Sequence, residues 1–478
     1  MIESLHQLVP SEWCLQCRGC CRFPDPEDAQ TPAFSPAEVQ SALAAGGTPD
    51  WFQPVTPAPS HSVRLVPHAS CGTHCPGLHL PTHQCTIYPV RPLDCQIYPY
   101  VVARDASGER LLLGVDPKCP YVQQLGPSPA VRDVGLYLGR LLEAPEGQAM
   151  LGENPALAGR WREEFLTIQP LRDPHAPPPS PAPPGFSPLV QHAAAFEAAV
   201  AQTGRPLSAY HRAAWWPWRD LLRFWWGHMG GTPCVIAEQA GGYFLPLPPL
   251  ASTITRDMVA AAFHLLNDLN RGAAVSRIEN CTAAQAAQCR DWGYGVHRVE
   301  QEYVYATANV RARAAAQARR ARGAVLVVRP YDPHRDAESC RRLYVLWALR
   351  RQMATDDPQA RAMLRDGAYC HRRWLEEAEA LGVFGMVAET PDGIQGYLLG
   401  VTLSDEVMVV LAEIVNSEVA RIAALMTAAL CRQVRQPWMN LMGDAGLSSL
   451  ARAKQAEQPA RVVEVCAVTP AGACVTTS

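Results

Sequence analysis

The segment CLQCRGCC at residues 14–21 places Cys14, Cys17, Cys20 and Cys21 within one short stretch. The two-residue gaps allow Cys14, Cys17 and Cys20 to converge on one metal ion. Side chains of adjacent residues diverge, so we expect Cys20 and Cys21 to face two metals, or one of them to lie behind the ligands. A metal replaces much of the core of a small domain, and this stretch therefore decides how the N-terminal region folds.

More cysteines follow in the same region. They are Cys71, Cys75, Cys85, Cys95 and Cys119. Together with the four cysteines of CLQCRGCC they make eight thiolates, or nine if Cys71 is included. That number suffices for two four-coordinate sites or one larger cluster, and soft thiolates favour zinc, iron or an iron–sulfur cluster. The alternatives are a structural zinc site, an iron or iron–sulfur site with a redox or catalytic role, and disulfides or free thiols. His74, His79 and His83 are either further ligands or solvated loop residues.

Composition limits the classes of protein to consider. The chain has 478 residues and a formal net charge of −3, so it is not a nucleic-acid binder by bulk charge. The N-terminal sequence MIESLHQLVPSEW lacks the pattern of a secretory signal. No stretch approaches the roughly 18 apolar residues of a membrane span. We therefore expect a cytoplasmic protein without an integral membrane segment, in which reduced thiols favour metal binding over disulfides.

The order of apolar patterns predicts an α/β (α+β) protein in which a small irregular Cys-rich metal-binding domain comes first. Apolar residues three and four positions apart indicate helices over 130–168, in VRDVGLYLGRLLEA and AGRWREEFLTI. Strands and helices then alternate, including a predicted strand VMVVLAEI at 407–414 and a helix at 417–434. The predicted parts are a cysteine-rich domain (1–125), a helical extension (126–171), a Pro-rich linker (172–188) and an α/β domain of two similar halves (189–478).

The cysteine pattern carries a family resemblance. CLQCRGCC, together with CTIYPVRPLDCQIYP at 85–99, resembles a bacterial cysteine-cluster family described as a zinc- or iron-chelating domain. Cys75 matches the family's cysteine before this core and Cys119 the one after it, whereas Cys71 is an additional cysteine. The resemblance implies metal binding without a defined metal or reaction. We expect Arg91 in this core to offset thiolate charge or, alternatively, to contact a substrate.

Several residues of the C-terminal domain are candidates for chemistry. Glu413, at the end of the strand VMVVLAEI, is either a general base for an attacking amine or a residue that starts a helix. Asp444 is either a second candidate for the general base or a cap for a helix that begins near Ala445. Lys118 and Lys454 are the chain's only lysines, so either can be required as a lysine or retained by chance.

A helix predicted at 308–322 carries basic residues and no acidic one. Such a helix either binds a phosphate group or presents a solvated face. Its arginines are Arg311, Arg313, Arg319, Arg320 and Arg322.

Four segments carry a second resemblance, which covers residues 187–478. They are WRDLLRFWWG (218–227), YFLPLPPL (243–250), EQEYVYATANVRA (300–312) and MNLMGDAGLSSLARAKQAEQP (439–459). These segments resemble the C-terminal domain of phosphatidylglycerol lysyltransferase, and the resemblance implies a duplicated acetyltransferase-like (GNAT-like) fold. Glu413, Asp444 and Lys454 match the family's strand glutamate, its acidic residue before Gly-Leu and its L-x-x-A-K lysine.

This chain departs from the acetyltransferase pattern at the cofactor loop. Ordinary acetyltransferases hold the cofactor pyrophosphate on a Q-x-x-G-x-G/A loop, whereas NSEVARIAA follows the strand here. The departure makes acyl-CoA the less favoured donor. The donor is either an aminoacyl-tRNA, in which case tRNA is a partner, or an acyl-CoA.

These resemblances predict a metal-binding protein with an acyl- or aminoacyltransferase module that acts on a small-molecule or peptide amine. Glu413 or Asp444 would carry the proton, and Lys454 and the arginine helix would hold a phosphate-bearing donor. The arginines expected to bind the donor are Arg311, Arg313, Arg319 and Arg320. One alternative is a redox or metal-handling protein whose cysteine domain is the active part and whose GNAT-like region binds a partner or substrate. A further alternative is a scaffold held by structural zinc.

Overall fold

The computed structural model describes residues 5–17, 19–25, 30–68, 72–105, 108, 110–176, 181–204, 207–239, 242–272, 274–319 and 326–471. The chain divides into two compact units. The first unit comprises residues 1–178 and 344–368, and the second comprises residues 179–343 and 369–478. The boundary at residue 178 falls within the Pro-rich segment 172–188. The membership of residues 344–368 in the first unit is a feature that the sequence pattern did not predict.

The first unit consists of short helices and small sheets. Its helices are α1 (Ser11–Gln16), α2 (Pro36–Ala44), α3 (Leu93–Ile97), α4 (Pro120–Leu125), α5 (Pro129–Glu143) and α6 (Pro145–Glu153). Its strands are β1 (Arg22–Phe23), β2 (Ala33–Phe34), β3 (Phe52–Pro54), β4 (His61–Val63), β5 (Val66–His68), β6 (Gly72–His74), β7 (Leu78–His79), β8 (Gln84–Cys85), β9 (Tyr100–Arg104), β10 (Leu111–Val115), β11 (Gly159–Arg160) and β12 (Leu166–Leu171). Short 3-10 helices lie at Pro49–Trp51, Tyr88–Val90 and Pro155–Leu157.

The largest sheet of this unit has the strand order β11–β9–β10–β12. Strand β10 is buried along its whole length between β9 and β12, and α5 covers the sheet with its apolar face. The predicted helix over AGRWREEFLTI is wrong, because residues 159–160 and 166–168 belong to β11 and β12. The spacing of Trp161, Phe165 and Ile168 suits a helix. Pairing of β12 with the buried β10 overrides that local preference.

The second unit contains longer elements. Its helices, two of which extend into the first unit, are α7 (Ala193–Ala201), α8 (Arg212–Trp215), α9 (Arg256–Asn270), α10 (Ala283–Asp291), α11 (Thr307–Arg319), α12 (Pro333–Met353), α13 (Pro358–Glu376), α14 (Ala378–Leu381), α15 (Ile422–Gln433) and α16 (Ser448–Ala456). Its strands are β13 (Ser187–Pro188), β14 (Arg223–Met229), β15 (Thr232–Gln239), β16 (Gly242–Phe244), β17 (Ile278–Thr282), β18 (Gly295–Ala306), β19 (Val327–Pro330), β20 (Phe384–Thr390), β21 (Gly393–Thr402), β22 (Val407–Val415), β23 (Trp438–Gly443) and β24 (Arg461–Thr469). Short 3-10 helices lie at Leu189–His192, Ser208–Tyr210 and Trp216–Asp220.

Two sheets organise this unit. Strands β13–β14–β15–β16 form one, and β17–β24–β18–β23–β22–β21–β20–β19 form an eight-stranded second. A core that includes Tyr303, Tyr305, Met408 and Met426 packs α15 against the second sheet. The helices and sheets confirm the predicted α/β (α+β) class, and the mixed topology suits alternating strands and helices.

Strands β22 and β23 are parallel neighbours joined through α15. Their pairing runs from Val407–Trp438 to Val409–Asn440 and then ends, although β22 continues to Val415 and β23 to Gly443. The two strands therefore leave a gap in the sheet beyond Val409 and Asn440. Within the part of the chain that the structure describes, no strand pairs with the backbone groups of β22 that face this gap. Such groups can pair with a ligand.

Within the described part of the chain, no helix is long and apolar enough to cross a membrane.

Candidate functional site

Backbone hydrogen bonds bring the separated cysteines of the first unit together. The Cys75 N–H donates to the Cys21 carbonyl at 3.0 Å, and the Leu78 N–H donates to the Cys75 carbonyl at 3.0 Å. Leu78 in turn pairs with Cys85 across β7 and β8. At the start of the motif, the Cys17 N–H donates to the carbonyl of Cys14 at 3.2 Å. The chain thus folds CLQCRGCC back onto the loop that carries Cys75 and Cys85.

The thiols also influence one another electrostatically. Burial raises the pKa of Cys75 to about 12, and the nearby Cys85 and Cys20 thiolates add to the shift. Burial likewise raises the pKa of Cys95 well above its ordinary value, with further contributions from Asp94 and three other thiols. Cys20 is the common neighbour, since it contributes to the environment of several thiols. These are Cys14, Cys75, Cys85, Cys95 and Cys119.

This donor set fits a thiophilic metal in its chemistry. Eight predicted ligands are present as free cysteines, and a bound cation would stabilise the thiolates that burial and mutual repulsion disfavour. Among the residues that the structure describes, no three Cys, His, Asp or Glu side chains converge as ligands of a single ion. Cys71 lies outside the described residues. The metal-ligand set therefore stays a prediction.

The histidines of this region make local contacts. His74 is 7% exposed, and its Nδ1 lies 2.8 Å from the Cys75 carbonyl oxygen. His79 Nδ1 lies 2.7 Å from Thr82 Oγ1, and Arg22 lies 2.8 Å from His83 Nδ1. Each Nδ1 atom used in this way has a protein partner.

The second unit contains a buried carboxylate at the centre of its large sheet. Glu302 of β18 is 2% exposed. Asn440 Nδ2 donates to its Oε2 at 2.6 Å, and the Ser208 N–H donates to its Oε1 at 3.0 Å. The Ser208 hydroxyl donates to the same carboxylate. These charge-assisted hydrogen bonds replace the water that Glu302 loses on burial.

Two further carboxylates lie close by. Asp444 accepts a hydrogen bond from the Tyr303 hydroxyl at 2.8 Å and another from the Gly446 N–H at 3.1 Å. Helix α16 begins at Ser448, so Asp444 stabilises the preceding turn rather than capping the helix. Glu300 accepts from the Ala445 N–H at 2.9 Å, and burial followed by repulsion from its acidic neighbours raises its pKa to about 7.

Lys454 is the cation beside this acidic group. Its Nζ donates to the carbonyl of Leu441 at 2.7 Å, of Met442 at 3.1 Å and of Gly443 at 2.5 Å. Burial lowers the pKa of Lys454 to about 8, while the neighbouring carboxylates oppose the shift. The ammonium group of Lys454 therefore donates its three hydrogen bonds to backbone carbonyls at the end of β23. A compact three-donor ammonium is suited to this role, and a planar guanidinium is not.

We expect the raised pKa of Glu300 to appear in the pH dependence of stability. The folded pKa of about 7 exceeds the ordinary value of 4.5, so the folded chain binds more protons between these values. Stability should then fall by up to about 3 kcal/mol as pH rises through this window, and Glu300→Gln should remove that slope. Urea unfolding of the full chain from pH 4.5 to 8 measures the effect.

Glu464→Gln is the matched control for this prediction. Glu464 is half-exposed on the adjacent β24. The same slope in the Glu300→Gln and Glu464→Gln variants would show that Glu300 does not titrate as described.

Glu413 lies apart from the Lys454 cluster. It is solvent-exposed on the part of β22 that continues beyond the end of pairing with β23. Thr427 Oγ1 of α15 donates to Glu413 Oε1 at 3.3 Å. Surrounding protein atoms raise the pKa of Glu413 even though the side chain contacts water, and water limits that shift.

The arginines of α11 differ in their contacts. Arg311 donates to the Cys431 carbonyl at 2.6 Å, and Arg313 donates to the Glu457 carbonyl at 2.6 Å. Arg313 also forms an ion pair with Glu457 at 2.8 Å. Arg319 is exposed at the end of the helix. Arg320 and Arg322 of the predicted basic patch lie outside the described residues.

Sequence reasoning missed the acidic part of this cluster. Glu300 and Glu302 occur in the segment EQEYVYATANVRA, where alternate positions of a strand lie on one face. Two acidic residues on one face of a strand that continues as buried Tyr303 and Tyr305 were a usable signal. Nothing local indicated Ser208, which reaches Glu302 from a distant segment.

The N-terminal part of the chain matches a known family. Residues 13–120 match the family described as "Putative zinc- or iron-chelating domain". This match confirms the predicted resemblance of the cysteine pattern. No curated protein matches the chain.

Solved structures resemble the remainder of the chain. One is L-PGS from Bacillus licheniformis, with 10% identity, coverage of 59% of this chain and 93% of that chain, and a TM-score of 0.40. A tandem GNAT protein from the clavulanic acid biosynthesis pathway has 14% identity, coverage of 61% and 99%, and a TM-score of 0.38. A conserved protein of unknown function from Bacteroides thetaiotaomicron has 14% identity, coverage of 58% and 97%, and a TM-score of 0.48. The predicted likeness to lysyltransferase and GNAT-like domains is thus found among solved structures.

Proposed function

We propose that this protein is a cytoplasmic acyl- or aminoacyltransferase with a metal-binding N-terminal domain. The acceptor is an amine on a small molecule or peptide, and the donor is an aminoacyl-tRNA or an acyl-CoA. The gap between β22 and β23 carries this proposal, because it combines unpaired backbone groups with Glu413 on one of its edges. Fixed backbone dipoles of this kind stabilise charge that develops on an acyl oxygen.

Glu413 is the general base in this proposal. The amine nitrogen attacks the acyl carbon, a C–N bond forms, and the ester or thioester bond of the donor breaks. Glu413 takes the proton that the amine loses and returns it to the leaving hydroxyl or thiol. The raised pKa of Glu413 brings its proton affinity closer to neutral pH than that of an ordinary carboxylate.

The other predicted residues support the site in different ways. In this proposal Lys454 fixes the backbone at the end of β23 through its three hydrogen bonds to carbonyls. It therefore positions the site and does not bind the donor. Asp444 holds the Tyr303 hydroxyl and the turn that precedes α16. Arg319, exposed at the end of α11, is the described arginine best placed to contact a donor phosphate.

Metal binding belongs to the first unit in this proposal. The cysteines from Cys14 to Cys119 would hold zinc, iron or an iron–sulfur cluster. Such a metal supplies either structural stability or electron transfer when bound. The thiol cluster also supports a second candidate function, namely a redox or metal-handling protein whose second unit binds a partner or substrate.

Replacement of Glu413 by glutamine tests the transferase. We expect kcat/KM to fall by about 100-fold or more, because proton transfer by a positioned base contributes on this order. The full chain is incubated with radiolabelled aminoacyl-tRNA or acetyl-CoA and a panel of primary amines, and amide products are counted after chromatography.

Glu406→Gln is the matched control, since Glu406 is exposed just before the same strand and should retain parent activity. Equal rates for the Glu413→Gln and Glu406→Gln variants would contradict the base assignment. Absence of amide product with both donor classes would contradict acyl transfer and favour the metal-handling function.

A further inference from the structure

A cavity of about 400 Å³ lies next to the thiol cluster in the first unit. Its polar lining includes the side chains of Gln7, Ser11, Arg91 and Gln96. Arg91 comes from the core segment CTIYPVRPLDCQIYP, and Ser11 is the first residue of α1, the helix that carries Cys14. Volumes of this size suit small molecules.

Arg91 is the charged group of the cavity. It is 8% exposed, and its guanidinium lies 3.8 Å from the centre of the Tyr88 ring. One terminal nitrogen donates to Gln7 Oε1 at 2.6 Å, and the other lies 3.8 Å from Cys14 Sγ. Stacking on Tyr88 fixes the plane of the guanidinium and therefore the directions of its donors.

Among the residues that the structure describes, Arg91 has no carboxylate partner, and the acidic groups near it are the thiols of Cys14, Cys20 and Cys85. A guanidinium has five N–H donors, and the contacts to Gln7 and Cys14 use two of them. Burial of a cation is unfavourable unless an anion or sufficient hydrogen-bond acceptors compensate it. Because Arg91 also lines the cavity, an anion bound there would reach the donors that remain.

We propose that this cavity binds a small polar carboxylate through Arg91. A planar carboxylate matches the planar fork of a guanidinium. Gln7 Oε1 accepts from Arg91 and Gln96 Nε2 donates to the Arg91 carbonyl at 2.7 Å, so Gln7 Nε2, Gln96 Oε1 and the Ser11 hydroxyl are the groups that would offer hydrogen bonds to the rest of the ligand. The contact between Arg91 and Cys14 places this ligand beside the thiol cluster. The site is independent of the transferase proposed for the second unit.

The test uses the full metal-containing chain and a pair of probes that differ in one group. N-acetylglycine carries a carboxylate, and N-acetylglycinamide has a neutral amide in its place. Ligand-observed saturation-transfer NMR measures the affinity for each. We expect saturable binding of N-acetylglycine and at least about tenfold weaker binding of N-acetylglycinamide, because hydrogen bonds to a charged partner are the stronger ones.

Two variants locate the binding site. Arg91→Gln should weaken N-acetylglycine binding by about tenfold or more, and Arg64→Gln, at an exposed arginine of the same unit, should leave it unchanged. Ser11→Trp, at an exposed position on the cavity edge, should block binding while the metal content stays at the parent level. This second variant keeps the test informative if Arg91→Gln disturbs folding or metal binding.

Three results would overturn the proposal. They are absence of N-acetylglycine binding to the parent chain, equal affinity for the two probes, and undiminished binding in Arg91→Gln or Ser11→Trp protein. Loss of metal from the Arg91→Gln variant with undiminished N-acetylglycine binding would show instead that Arg91 serves the thiolates alone.

Discussion

Replacement of Lys454 by methionine is expected to destabilise the second unit by about 3–5 kcal/mol, the usual effect of removing one partner from a buried charge network. The ammonium joins the carbonyls of Leu441, Met442 and Gly443. Methionine fills a similar volume but donates no hydrogen bond, so these carbonyls would lose their partner. The backbone at the end of β23 would then no longer be held in its present conformation.

The acidic neighbours of Lys454 add to the effect. Glu300, Glu302 and Asp444 all raise the pKa of this lysine, which means that each is stabilised by its positive charge. Without the ammonium, the three carboxylates would repel one another in a buried setting. We therefore expect Lys454→Met protein to unfold at a lower urea concentration and to be rescued in part at low pH, where Glu300 is protonated.

The chain supplies a matched control in its other lysine. Lys118 is exposed and pairs with Glu164 at 2.8 Å, and exposed pairs contribute little to stability. Lys118→Met should therefore change the free energy of unfolding by less than about 1 kcal/mol. Urea unfolding of the full chain, followed by tryptophan fluorescence, compares the two. Equal midpoints for Lys454→Met and Lys118→Met would refute the structural role of Lys454.

Replacement of Cys95 by serine is the second change with a large expected effect. Cys95 lies in α3 and shares its electrostatic environment with Cys75, Cys20 and Cys85. If these thiolates hold zinc or iron, serine removes a soft ligand at the centre of the set, and most of the bound metal should be lost. Metal content is measured by elemental analysis after purification without air.

Stability should change together with metal content. Structural metals contribute directly to folding, so the first unit of the Cys95→Ser variant should also unfold at a lower temperature than the parent. Cys289→Ser is the control, because Cys289 is buried in a hydrophobic core of the second unit and is not a member of the predicted ligand set. Parent-like metal content in Cys95→Ser protein would exclude Cys95 as a ligand.

Local patterns in the sequence predicted much of the architecture. The spacing of CLQCRGCC and of Cys85 and Cys95 carried the family resemblance of the first unit. The alternation of apolar runs predicted β22 and the helix that follows it, because strands and helices of this length have distinct hydrophobic periods. The same apolar run predicted that Glu413 lies at the end of a strand, and the structure shows that its side chain is exposed there.

The tertiary structure decided the features that depend on pairing between distant segments. Residues 158–168 have a helical spacing, but residues 159–160 and 166–168 form strands, since β11 pairs with β9 and β12 pairs with the buried β10. Ser208 reaches Glu302 across 94 positions, and Tyr303 reaches Asp444 across 141. Local sequence periodicity carries no information about such pairs.

Lys454 illustrates what the sequence and the tertiary structure each contribute to an assignment. The sequence alone marked it as one of two lysines in an arginine-rich chain, which was compatible with donor binding. The fold brings its ammonium against three successive carbonyls and three carboxylates, so a positioning role follows from geometry. Sequence determines which groups are available, and the long-range folding of the chain determines which of them share one buried environment and therefore what each can do.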